Sequence, residues 1–137
     1  MTYVHPRQTY RIAGFLLRKW RPCRPWPFAS LLAWVQWFVD HDRCLLVSDS
    51  GRIVTVALFR CVDDPKDVLV NYRDTGGDVA YIDVCASDAP GAMKAAFNLL
   101  LAKVGATATR LAWIRGKCRD RFTIVPLKAA TRHLIYV

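Results

Sequence analysis

Gly77-Asp78-Val79-Ala80-Tyr81-Ile82-Asp83-Val84-Cys85-Ala86 runs through Ser87-Asp88-Ala89-Pro90 into an Ala/Leu-rich segment ending at Val104-Gly105. Gly76-Gly77 marks a turn, the apolar β-prone run after it reads as a strand, and Asp88 with Pro90 reads as a helix start closed by Gly105. A strand feeding a helix in this way sets an α/β or α+β class. Asp83 is the anomaly in it. A single carboxylate among apolar neighbours is costly unless something pairs with it. Period-two alternation puts Tyr81, Asp83 and Cys85 on one face and Ile82 and Val84 on the other. Two roles follow for Asp83: a carboxylate that orients or deprotonates a reacting group, or one paired with an arginine or turned to solvent at a sheet edge.

Upstream of this stretch, Gln8 to Trp20 carries Ile12, Phe15 and Leu16 at helical spacing with Arg11, Arg18 and Lys19 between them. Pro22, Pro25 and Pro27 then impose a stiff extended segment. Phe28 to Asp40 reads as a strongly apolar helix packed on a sheet. Arg43–Asp49 and Arg52–Cys61 are strand-like, joined at Asp49-Ser50-Gly51 as a hairpin. Asp63 to Gly77 is polar, with a short strand at Val68–Tyr72. Downstream, Thr109–Arg115 and Phe122–Val125 read as strands, and Leu134–Val137 as a weak last one. The order predicts a single domain over residues 1–137, α+β (mixed α/β), with a central mixed sheet and flanking helices.

The chain has 137 residues, a length that supports one sizeable core, and its 53% hydrophobic content excludes a mostly disordered polymer. The longest apolar run, Pro27 to Val39, falls short of a membrane span and ends at Asp40-His41-Asp42, so it reads as a buried helix. The first residues lack the apolar region of a secretory signal. Five cysteines without a C-x-x-C pair fit a reducing, cytoplasmic setting.

The net charge of +9 is concentrated at the ends. Residues 1–39 carry six basic and no acidic side chains, residues 40–104 seven and ten, and residues 105–137 seven and one. Two basic ends around an acidic middle point to an anionic partner, set against a merely positive soluble surface. All eleven acids are Asp, so base candidates are limited to Asp, His5, His41, His133, Cys and Tyr.

Cys23 sits in Trp20-Arg21-Pro22-Cys23-Arg24-Pro25-Trp26-Pro27. Flanking arginines favour a thiolate, and prolines fix its place; the alternative is a small buried hydrophobe, the commoner fate of a free cysteine. Cys44, Cys61, Cys85 and Cys118 read as core or incidental residues. The cluster Arg110, Arg115, Lys117, Arg119 and Arg121 could hold phosphate, an acidic carrier or nucleic acid, or form a solvated basic loop. Phosphate-loop, dinucleotide-fingerprint, nucleophile-elbow and metal-ligand spacings are all missing, so neither a bound cofactor nor a metal is expected.

With these residues in view, the order of motifs resembles that of the RTX-toxin-activating lysine acyltransferases, relatives of the GNAT fold. Cys23-Arg24-Pro25-Trp26-Pro27 stands where that family has a His-x-x-Trp-Pro-like segment. Gly77-Asp78-Val79-Ala80-Tyr81-Ile82-Asp83, then Ala89-Pro90, is similar to its Gly-Asp turn, Ile-Asp strand and Ala-Pro step. Leu111-Ala112-Trp113-Ile114-Arg115 with Gly116-Lys117 is similar to the strand that follows. The resemblance implies a GNAT-like domain that moves an acyl group from acyl carrier protein or acyl-coenzyme A to a lysine or amine. Its catalytic aspartate maps to Asp83, and its histidine position is held by Cys23, which would act as nucleophile or base. Arg24, Arg115, Lys117 and Arg119 would bind substrate or carrier, and the missing Gly-rich loop suits a donor other than free coenzyme A. Two other readings remain: a non-catalytic GNAT-fold binding or structural module that forms a homodimer or complex through its tryptophans, and a basic nucleic-acid-binding module.

Overall fold

A computed structural model describes residues 6–66, 73–114 and 122–129. The elements are α1 (Pro6–Lys19), a 3-10 turn (Arg21–Cys23), α2 (Phe28–Asp40), β1 (Cys44–Asp49), β2 (Arg52–Val62), β3 (Val79–Ser87), α3 (Pro90–Val104), β4 (Arg110–Ile114), β5 (Phe122–Pro126) and a closing 3-10 turn (Leu127–Ala129). The strands form one mixed sheet in the order β1-β2-β3-β4-β5. The expected α+β class with flanking helices is what the structure has. The segments expected as strands at Val68–Tyr72 and Leu134–Val137 lie outside the described residues.

Two compact units are distinguished, Met1–Leu58 with Val84–Ala96 and Phe59–Asp83 with Phe97–Val137. In the first, the α1 spacing noted in the sequence buries Ile12, Ala13, Phe15 and Leu16. They meet Leu31, Val35 and Phe38 of α2, Ile53, Val56 and Leu58 of β2, and Val84 and Ala86 of β3. Each large side chain removed from water here contributes roughly 1.5–3 kcal/mol before ordering costs. Helix α2 ends where Asp42 takes a left-handed conformation (φ 55°) and the Arg43 N–H reaches back to the Phe38 carbonyl at 2.8 Å. The β1–β2 hairpin turns on Ser50 and Gly51, both at positive φ (51° and 78°). Asp49 pairs directly with Arg52. This is the two-residue turn whose twist suits adjacent antiparallel strands.

In the second unit, Val62, Val79, Tyr81 and Ala112 are buried together, with Ile114 packed against them. Gly77 lies against the backbone of Val62, where any Cβ would collide, so no other residue fits that turn. Helix α3 crosses over between β3 and β4, which run parallel. Their register pairs Val79, Ala80 and Tyr81 with Arg110, Leu111 and Ala112. Strand β5 then returns antiparallel along the whole of β4.

Candidate functional site

Pro22 and its neighbours do more than stiffen the chain after α1. They fold it back over the end of the helix, where the last carbonyls lack intrahelical donors. The Trp20 N–H takes the Leu16 carbonyl at 2.7 Å. The Cys23 thiol donates to the carbonyls of Trp20 at 3.1 Å and Leu16 at 3.6 Å. The Arg24 guanidinium donates to those of Leu17 and Arg18, each at 3.3 Å. A cation there also complements the negative end of the helix dipole. Cys23 and Arg24, both singled out in the sequence, therefore come together as the C-terminal cap of α1.

The expectation of a favoured thiolate at Cys23 is corrected by this geometry. Burial pushes the thiol up from its ordinary value, and this outweighs the lowering by its own backbone hydrogen bond and by the Arg24 charge. Arg21 and Arg24 are exposed, with the Arg24 guanidinium turned to the carbonyls at the end of α1, while Cys23 is fully enclosed. Sequence proximity placed the charges near the thiol; it did not show that the core would desolvate it.

Asp83 lies in the second unit, where the partner the sequence left open is Arg60 on β2. The Arg60 guanidinium donates through Nε to Asp83 Oδ2 at 2.9 Å and through Nη2 to Oδ1 at 2.7 Å. Both side chains are nearly closed to solvent, at 2% and 8% exposure. This is the two-pronged geometry that lets a buried ion pair recover its desolvation cost. The guanidinium carbon also lies 5.4 Å from the Tyr81 ring centroid, within cation–π range. Burial first, then the Asp83 charge, pushes the Tyr81 phenol up to about 12 despite the lowering influence of Arg60. Among the described residues no buried side-chain nitrogen or oxygen lacks a hydrogen-bond partner. Arg60 escaped the sequence reading, but its signal was present. Leu58-Phe59-Arg60-Cys61-Val62 embeds one cation in an apolar strand just as Tyr81–Cys85 embeds one anion.

Cys85, on the Asp83 face of β3, is exposed, and its thiol lies 3.3 Å from the Met93 sulfur on α3. Desolvation by the packed atoms around it pushes the thiol up to about 11. The strand-to-helix step is held by Ser87, whose hydroxyl meets that of buried Thr55 at 2.7 Å and the Ala89 carbonyl at 2.8 Å. The Asp88 carboxylate pairs with Lys19 of α1. Arg115, Lys117 and Arg119, expected to bind a carrier, lie outside the described residues, as do His5, His133 and Cys118. Among the described residues no three His, Cys, Asp or Glu side chains gather as metal ligands, and no helix is long and apolar enough to cross a membrane.

No family model matches the chain, and no curated protein matches it significantly. Among solved structures it is similar to the GphF GNAT-like decarboxylase in complex with isobutyryl-CoA. The match has a TM-score of 0.55 at 18% identity, over 82% of this chain. The chain spans 63% of the length of that protein. At this identity the likeness concerns architecture, and together with the mixed five-stranded sheet and crossover helix it gives the chain a GNAT-like fold.

Proposed function

We propose that the protein handles an acyl thioester and transfers its acyl group to an amine, as the resemblance to the toxin-activating lysine acyltransferases implies. The observation that carries the reading is the fold, shared with a neighbour in complex with isobutyryl-CoA. In the reaction the amine nitrogen attacks the thioester carbonyl, the carbon–nitrogen bond forms and the carbon–sulfur bond breaks. The proton lost from nitrogen ends on the departing thiol or in solvent. Holding the two reactants together supplies much of the acceleration. Within this proposal Asp83, clamped by Arg60, is a positioning residue, and Cys23 serves the α1 cap.

The turn before α3 bears on the donor. A helix start can take phosphate through its free N–H groups. Here Pro90 has no N–H, and the neighbouring Asp88 is an exposed acid held below its ordinary range by the Lys19 hydrogen bond. A pyrophosphate fits such a turn poorly. The favoured donor is therefore an acyl group on a carrier protein rather than on free coenzyme A.

A second reading, a GNAT-fold binding protein without catalysis, is favoured by the occupation of both expected catalytic side chains. Incubating the protein and a lysine-containing peptide with acyl-loaded carrier protein, and separately with acyl-coenzyme A, decides between them by mass spectrometry. A gain of one acyl group on an amine, retained in Cys23→Ala, is the expected result. Donor binding without transfer, or a stable dimer or complex on size exclusion with binding of neither donor, supports the second reading and overturns the first. Loss of transfer in a folded Cys23→Ala protein would restore the sulfur to a catalytic role.

A further inference from the structure

Cys85 on β3 and Met93 on α3 bring two sulfur atoms together within the first unit. The Cys85 thiol donates to the Met93 thioether at 3.3 Å. The strand-to-helix step between them is tied down. Ser87 bonds to the Thr55 hydroxyl and the Ala89 carbonyl, and the Asp88 N–H reaches the Val54 carbonyl at 2.8 Å. Cys85 is exposed and Met93 half-buried, which leaves the pair at the surface of the chain. Cys85 is in no disulfide. Among the described residues no three His, Cys, Asp or Glu side chains gather as ligands, so the pair belongs to no larger site of those residues.

We infer that Cys85 and Met93 form a two-sulfur site for a soft monovalent cation, copper(I), independently of any acyl transfer. Thiolate and thioether are the soft donors that select copper(I), whereas zinc takes four ligands and calcium or magnesium takes oxygen. The geometry already holds a cation's place, because a proton on one sulfur is directed at a lone pair of the other. Copper(I) takes the position of that proton. The flexible Met93 side chain lets its sulfur draw back to accommodate the longer metal bonds. In the exchange the Cys85 S–H bond breaks, a copper–sulfur bond forms with the same electron pair, and the proton leaves to solvent. Charge favours the product. Desolvation holds the thiol protonated because a bare thiolate is costly there. A thiolate, copper(I) and a neutral thioether sum to zero charge, so the same surroundings do not oppose the loaded site. Uptake releases a proton and should tighten about tenfold per pH unit between pH 6 and 8.

The test is titration of the full chain with copper(I), without oxygen, against the chromogenic competitor bicinchoninate. The wild type should withhold one equivalent from the competitor. Cys85→Ser should abolish this, Met93→Leu should weaken it roughly tenfold or more, and Cys44→Ser should leave it intact. Circular dichroism checks that each variant is folded, and Met93→Leu, which keeps the bulk of the side chain, separates loss of a ligand from loss of packing. No copper withheld by the wild type overturns the inference. So does retention unchanged in Cys85→Ser, which would assign the metal to other cysteines. Retention lost in Cys85→Ser but unchanged in Met93→Leu also overturns it, since the thioether would then be a packing neighbour only.

Discussion

Two of the polar contacts between strands β2 and β3 are of opposite character. In the first unit, Thr55 faces Ser87 and two neutral hydroxyls share a hydrogen bond of 2.7 Å. In the second, Arg60 faces Asp83 and two charges share a pair of bonds at 2.7 and 2.9 Å. Thr55 and Arg60 are equally enclosed, at 0% and 1% exposure. The hydroxyl pair is forgiving, since Ser87 has the Ala89 and Val54 carbonyls as other acceptors. The ion pair has no such latitude, because either charge left alone in that setting keeps its full desolvation cost. Residue names along a strand thus say little about how much a contact matters; the charge state of its partner decides.

Breaking the charged contact should produce the largest effect. Asp83→Asn leaves a buried guanidinium without its counter-charge and should cost about 3–5 kcal/mol in urea unfolding. Replacing both members, as in Arg60→Met with Asp83→Leu, should recover most of that loss, because two apolar groups of suitable size need no solvation. A single variant within about 1 kcal/mol of the wild type would show that water already reaches the pair.

Tyr81 sharpens the contrast by titration. Its phenol stands near 12 in the fold against 10 when free, so the folded state holds the proton more tightly. A raised folded value means the associated stability is complete below pH 10 and is lost as pH climbs towards 12. The loss should approach roughly 2–3 kcal/mol at the top of that window. Tyr81→Phe removes this ionisation, so its alkaline unfolding should be shallower by that amount. Parallel alkaline profiles for the two proteins would show that the ring is solvated in the fold.

Much of this architecture was legible in the chain. Apolar spacing at Ile12, Phe15 and Leu16, the Ser50-Gly51 turn, and the run from Val79 into Pro90 each carry their geometry locally. The site was legible only as anomalies. Asp83 and Cys23 stood out because their surroundings disagreed with their chemistry, but what satisfies them is not local in the same sense. Arg60 lies 23 positions from Asp83, and pairing it required the strand register. Cys23 needed the helix end seven residues back, whose open carbonyls convert an expected thiolate into a capping donor. An odd residue in a strand or turn announces a constraint, and only the fold says whether that constraint is chemical or structural.

The neutral contact should yield the smallest effect, and it isolates what the hydroxyl pair contributes. Thr55→Val keeps the shape of a fully buried side chain while deleting its oxygen. Ser87 then still donates to the Ala89 carbonyl at 2.8 Å and still accepts the Ala89 N–H at 3.3 Å. No polar group is stranded, so the cost should stay near 1 kcal/mol or below. Measured beside Asp83→Asn under identical conditions, the ratio of the two losses tests the comparison directly. Equal losses would mean that Thr55 supports more than one bond at the β3–α3 step, and that the neutral contact is as exacting as the charged one.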